Sequence, residues 1–150
     1  MSETKLFDTA TPYVACFVLL RRGNKAAFVL RQNTSYMSGY YGLPAGKVEV
    51  NESYTAGCVR EGKEEAGVTI DPANLKHMIT VHRHGEIDWV DIYFEATSWE
   101  GEPYNAEPEV HAELTWFDLT KLPESVVPHQ KTALEAFLAG NTYDEYGWDQ

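Results

Sequence analysis

The sequence predicts an α/β protein, one domain over residues 1–150 in which a mixed α+β sheet is flanked by helices. Three observations carry that prediction. Residues 13–20 form an unbroken apolar run, which reads as a central strand. Residues 53–66 and 128–139 each carry helix start and stop signals. Two strand-like runs lie between these helices, so the order is strands, helix, strands, helix.

The elements follow in turn. Gly23-Asn24 is a turn signal, and residues 25–32 follow as a second strand. Residues 33–41 are polar, contain Gly39 and read as a loop, while 42–50 are short, extended and punctuated by Gly and Pro. The first helix takes Asn51 or Ser53 as N-cap and Gly67 as its stop. Residues 75–83 and 89–98 pair around His84-Gly85-Glu86-Ile87. In the second of them Val90, Ile92, Phe94 and Ala96 alternate with Asp91, Tyr93 and Glu95. Residues 100–109 are an acidic loop with two prolines, and 112–119 read as a further strand. In the closing helix Pro128 suits the first turn, and Ala133, Leu134, Phe137 and Leu138 make one apolar stripe. The aromatic tail, residues 143–148, has two roles open to it: a cap on the sheet, or a contact in a homodimer.

Composition excludes several classes of function. A net charge of −11 argues against a nucleic-acid polymer as partner, since that needs a basic surface. The longest apolar run is too short to cross a bilayer, so no membrane partner is expected. The acidic segment 1–8 has no apolar stretch of the kind a secretory signal needs. Cys16 and Cys58 have no metal-type spacing and read as reduced thiols of a cytoplasmic protein. If the ligand carries phosphates, an acidic protein needs divalent cations to bridge its carboxylates to them.

The informative segment runs Gly46-Lys-Val-Glu-Val-Asn-Glu52, then Arg60-Glu61-Gly-Lys-Glu64-Glu65-Ala-Gly67. On a helix, Glu61, Glu64 and Glu65 stand at i, i+3 and i+4, with Cβ atoms about 5–6 Å apart. Taken alone, such a cluster is a solvated charged face. With a hard divalent cation, the repulsion among the carboxylates becomes coordination. Arg60 can hold a carboxylate by two parallel hydrogen bonds, and Glu52 is its candidate partner.

The whole pattern resembles the signature of the Nudix hydrolases, Gly-x5-Glu-x7-Arg-Glu-apolar-x-Glu-Glu-x-Gly-apolar. It fits at Gly46, Glu52, Arg60, Glu61, Glu64, Glu65 and Gly67. One position departs from it: Gly62 stands where the family has an apolar residue, which loosens the helix by up to about 1 kcal/mol relative to alanine. The resemblance covers residues 13–139 and implies a Nudix-type α/β/α sandwich. It also implies hydrolysis of a nucleoside diphosphate linked to another group, with Mg²⁺ as cofactor and Mn²⁺ as a substitute. By the same match Glu61, Glu64 and Glu65 are metal ligands, Arg60 orients them, and a backbone carbonyl of Ala45 or Gly46 joins the metal shell.

Within the family the chain is similar to MutT-type nucleoside triphosphate pyrophosphatases. Trp99-Glu-Gly-Glu-Pro-Tyr-Asn-Ala-Glu107 looks like their loop Trp-x-Gly-Glu-Pro-x-x-x-Glu. That match makes Glu107 a further metal ligand or the catalytic base, with Glu61 the other candidate base. The products would be a nucleoside monophosphate and pyrophosphate. Arg31, at the end of the second strand, is either a contact to a further phosphate oxygen or a surface arginine, and Lys47 is a candidate substrate-binding residue. His129 and Gln130, just inside the last helix, are candidate contacts to the base edge. Related oxidised-purine enzymes place acidic or Asn residues near that point, and this chain does not. His77, His82 and His84 lack a third ligand at firm spacing and read as surface or pocket-lining residues. Two rival readings stand beside the first. One is a Nudix hydrolase of ADP-ribose, a sugar nucleotide or a dinucleoside polyphosphate. The other is a non-catalytic Nudix-fold module that senses a nucleotide.

Overall fold

The elements, in a computed structural model that describes residues 8–148, are β1 (Tyr13–Arg22), β2 (Lys25–Arg31), β3 (Tyr41–Gly42), β4 (Ala45–Lys47), α1 (Tyr54–Ala66), β5 (Leu75–Arg83), β6 (Trp89–Ala96), β7 (His111–Asp118), α2 (Pro128–Leu138) and β8 (Tyr143–Tyr146). Most of the acidic N-terminal segment read above lies outside the described residues. Among the described residues no helix is long and apolar enough to cross a membrane.

The strand order is β3-β2-β1-β6-β5-β8, with β4 also on β1 and β7 on β2. β1 pairs in parallel with β6 along residues 13–20, and β8 runs parallel to β5. The other pairings are antiparallel, so the sheet is mixed, as expected.

The apolar run in β1 is continuous because both faces of the strand are covered. Ala15, Phe17 and Leu19 pack with Ala133 and Leu134 of α2. Cys16, Val18 and Leu20 pack with Cys58 and Ala66 of α1. The same layering corrects the alternation read in β6. Asp91 and Tyr93, the polar set of that alternation, are both fully buried on the α2 side.

Local chemistry fixes the helix ends. Ser53 is the N-cap of α1, its Oγ accepting from Ala56 N at 3.2 Å. Gly67 stops the helix in the left-handed region at φ 70. Leu138 leaves the expected stripe and is 43% exposed. The tail resolves as an added strand, β8, whose following Trp148 stacks on His84 with ring centres 4.4 Å apart.

Candidate active site

β4 lies across from α1, and this places Gly46 directly against the Glu61 side chain. Glu61 is only 6% exposed, an unusual position for a carboxylate. One guanidinium organises the surrounding acids. Arg60 Nε donates to Glu52 Oε2 at 2.7 Å and Nη2 to Glu52 Oε1 at 3.0 Å. Its Nη1 donates to Glu61 Oε1 at 2.7 Å and to Glu64 Oε2 at 3.3 Å. Nη2 also reaches the Lys47 carbonyl at 3.0 Å, which ties the helix to β4. The expected Arg60–Glu52 partnership is therefore present. Glu65 accepts from Ala45 N at 3.1 Å.

Glu107 comes to this face from 42 residues further on. Its loop is laced onto the end of α1: Tyr104 N donates to Ala66 O at 3.1 Å and Ala106 N to Glu65 O at 3.2 Å. Tyr104 also packs where a side chain on Gly67 would stand. Gly62, the departure from the family pattern, has a packing reason. A Cβ there would stand 2.9 Å from Ile70 Cδ1, so the isoleucine fills the space the glycine leaves.

Crowding of acids sets the electrostatics. Burial, with Glu64 and Glu107 adding repulsion against the pull of Arg60, raises the Glu61 carboxyl to about 7. Burial and then Glu61 push Glu65 well above the usual carboxylate range. Burial, then Glu64 and Glu109, raise Glu107. In contrast, the hydrogen bonds from Arg60 and from Glu49 N hold Glu52 down at about 2.

These acids suit a hard cation by donor type, since all are oxygens, and the backbone of Ala45 and Gly46 lies against Glu65 and Glu61. A cluster whose carboxyls are pushed upward by one another gains when a divalent ion replaces the protons. Among the described residues, however, no group of three or more His, Cys, Asp or Glu is already disposed as a cage. Arg60 and Ala45 N occupy some of the oxygens, so an ion would have to take over part of those hydrogen bonds.

A cleft of about 290 Å³ opens beside Ala45 and Gly46. Arg31, Lys47, His129 and Gln130 all line it, so all four candidate substrate residues are brought together. Arg31 Nε donates to Tyr36 O at 3.0 Å, and Lys47 Nζ lies 5.0 Å from the Tyr13 ring centre. Gln130 Oε1 accepts from Leu43 N at 2.8 Å, which positions its amide at the cleft wall. His129 is buried and neutral: burial, then Arg83 and Arg31, push its imidazole down to about 3. Its Nδ1 stands 3.9 Å from Asp91, which is therefore not an ion pair, and has no hydrogen-bond partner.

The cleft residue Arg83 escaped the sequence reading, and so did its buried partner Asp91. The signal was a charged residue within the apolar strand 89–96 and an arginine eight positions before it. His77 packs edge-on against Phe94. His82 and His84 both lie against Trp148, as the surface reading expects.

The chain is similar to several known proteins. The chain is 30% identical over 124 residues to the ADP-ribose pyrophosphatase of Methanocaldococcus jannaschii, covering 80% of this chain and 70% of that protein. It is 35% identical over 81 residues to the oxidized purine nucleoside triphosphate hydrolase of Danio rerio. That match covers 53% of this chain and only half of the relative's length. The fold is similar to a crystal structure of a MutT NUDIX hydrolase from Burkholderia pseudomallei, with TM-score 0.76 and 29% identity over 83% of this chain and 97% of that one. A family model described as the NUDIX domain matches residues 10–137, and the chain belongs to that family.

Proposed function

We propose that the chain hydrolyses a phosphoanhydride of a nucleotide, converting a nucleoside triphosphate to its monophosphate and pyrophosphate with Mg²⁺, or Mn²⁺ in its place, in the cytoplasm. The observation that carries the reading is the meeting of Glu107 with Glu61, Glu64 and Glu65 beside a cleft edged by Arg31 and Lys47. Bound at these oxygens, a divalent cation supplies charge neutralisation of the polyphosphate and polarisation of the attacked phosphorus.

The protein's own side chains do the rest. Arg60 holds Glu52, Glu61 and Glu64 in a fixed array. Ala45 N fixes Glu65. Glu61 or Glu107 accepts the proton of the attacking water. The water oxygen bonds to phosphorus, the anhydride P–O bond breaks, and pyrophosphate leaves with the electron pair. Arg31 and Lys47 offset charge on the remaining phosphate oxygens.

A second reading, hydrolysis of ADP-ribose, is favoured by one observation: the archaeal relative so described matches 80% of the chain. Intact carboxylates at residues 61, 64 and 65 weigh against a non-catalytic sensor. The test is product release from common and oxidised triphosphates, ADP-ribose and sugar nucleotides, with Mg²⁺, with Mn²⁺ and with chelator, beside Glu64→Gln. Pyrophosphate and monophosphate from triphosphates, lost on chelation and reduced more than about 100-fold in Glu64→Gln, are expected. Turnover of ADP-ribose alone establishes the second reading, and binding without turnover of any nucleotide overturns both.

A further inference from the structure

The cleft holds one built feature that the hydrolysis does not use. Asp91, on β6, is fully buried. A buried carboxylate needs a partner, and Arg83 on β5 supplies it. Arg83 Nε donates to Asp91 Oδ2 at 2.6 Å and Nη2 to Oδ1 at 3.0 Å. This grip uses one edge of the guanidinium. The other edge, both N–H groups of Nη1 and the second of Nη2, has no acceptor among the described residues. Trp89 fixes the plane from the side, with Arg83 Cζ 5.1 Å from its ring centre. The Arg83 side chain is only 17% exposed, and it lines the cleft as well as a neighbouring hollow beside Met37 and Tyr146.

The surroundings fit a flat ring better than a phosphate. Trp89, Tyr36, Phe17 and the neutral His129 line the same cleft, with Ala15 and Leu43 between them. Phosphate oxygens already have Arg31 and the exposed Lys47 in the same cleft.

We propose that the free edge of Arg83, held in position by Asp91, reads a nucleobase edge with two adjacent hydrogen-bond acceptors, as guanine offers at O6 and N7 and cytosine at O2 and N3. Two parallel N–H donors match two adjacent acceptors and no other pattern. Adenine sets its amine beside N1 and N7 and leaves N3 without a second adjacent acceptor, and thymine sets N3–H between its carbonyls. The 8-oxo form of guanine carries a proton on N7, so it loses one of the two acceptors. Selectivity therefore falls on the unoxidised base. Arg83 touches the base, and Asp91 is a positioning residue acting through it. The inference rests on the nucleotide reading above but not on which anhydride is cut.

The experiment measures kcat and KM for dGTP, 7-deaza-dGTP, 8-oxo-dGTP, dCTP, dATP and dTTP, and for inorganic tripolyphosphate as a probe without a base. The proteins are the wild type, Arg83→Lys and Asp91→Asn. Arg83→Lys keeps a cation beside Asp91, so the fold is retained while the fork is lost. Wild type should favour dGTP or dCTP over dATP and dTTP roughly 10- to 100-fold. If guanine is the base, 7-deaza-dGTP and 8-oxo-dGTP should lose a similar factor. Arg83→Lys should collapse the ratios through KM with kcat within a few-fold, and Asp91→Asn should do so in part. Equal or better turnover of dATP, dTTP or 8-oxo-dGTP by wild type overturns the inference while the triphosphate reading stands. So does an equal loss on every nucleotide and on tripolyphosphate in Arg83→Lys, which would make Arg83 a phosphate contact. If only nucleotide sugars turn over, the triphosphate reading fails, and the same ratios among GDP-, CDP-, ADP- and UDP-linked sugars decide the base. If nothing turns over, ratios of dissociation constants for the six deoxynucleotides decide it.

Discussion

Gly46 and Glu61 are packed so closely that no side chain fits on residue 46: a Cβ built there collides with the Glu61 carboxylate. That carboxylate is the movable partner, since it is the end of a side chain while Gly46 sits in a strand paired to β1. Gly46→Ala should therefore displace Glu61 from Arg60 and lower kcat at least about 10-fold. The melting temperature should move by only a few degrees. Parallel turnover and thermal-unfolding measurements check this, and a normal kcat would mean that Glu61 has room to spare.

Gly62 and Ile70 form a second complementary pair. Alanine at 62 gains up to about 1 kcal/mol in helix propensity. It also meets Ile70 Cδ1 at 2.9 Å, and overpacking costs about 1–3 kcal/mol, so the net effect should be destabilising. Ile70→Val removes that methyl and alone costs about 0.5–1.5 kcal/mol. Gly62→Ala with Ile70→Val should be more stable than the two single changes predict by about 1 kcal/mol. Urea unfolding of the four proteins closes the cycle.

The raised carboxyl of Glu61 links stability, pH and metal. Its pKa in the fold, about 7, lies above the ordinary 4.5, so its contribution is fully present below about pH 4.5 and is lost as pH rises through about 7. With chelator, the melting temperature should therefore fall across that interval. A divalent ion competes with the same proton, so stabilisation by Mg²⁺ should be greater near pH 8 than near pH 5. Thermal unfolding at both pH values, with Mg²⁺ and with chelator, measures the difference. Glu61→Gln should flatten it.

Glu52 has the opposite sign. Arg60 and the Glu49 N–H hold it at about 2, so its contribution is present above about pH 4.5 and is lost as pH falls through about 2. Glu52→Gln should remove that part of the acid dependence. At neutral pH it should cost about 1–3 kcal/mol by leaving Arg60 without its two-pronged partner. Acid titration of unfolding, wild type against variant, tests both.

Neither thiol should react in the native state. Cys16 and Cys58 are fully buried, and burial pushes the Cys16 thiol up to about 12 and the Cys58 thiol higher still. A thiol reagent should label neither until denaturant is added. Fast native labelling would show that the contact between β1 and α1 opens.

The acidic helix was legible because its geometry is local. Glu61, Glu64 and Glu65 share a face by helical spacing alone, and Ser53 and Gly67 announce the ends. Arg83 and Asp91 were not legible in the same way. They meet diagonally across an antiparallel register that pairs Val81 with Asp91 and Arg83 with Trp89, and a bulge between His77 and Ile79 helps set it. Alternation in residues 90–96 also misled, because it marks a polar face only where one side of a strand meets water. Here α2 covers the other side, and Asp91 and Tyr93 lie beneath it. The role of Gly62 depended on Ile70, eight residues later and beyond the end of the helix. Residues 143–148 mix aromatic and acidic side chains over too short a run to read as a strand, and only the open edge of β5 makes four of them one.

That last strand makes the cleft answerable to a distant stretch of chain. β8 lies in register with β5, setting Tyr146 opposite Arg83, and the Tyr146 ring stands 6.1 Å from that of His129. Two walls of the nucleotide cleft, one from β5 and one from α2, are thus clasped by a segment that touches none of the acids. Drift in sequence at residues 143–146 can retune which ligand is accepted while leaving the hydrolytic machinery as it was. Selectivity and chemistry can then evolve at separate addresses in one small domain.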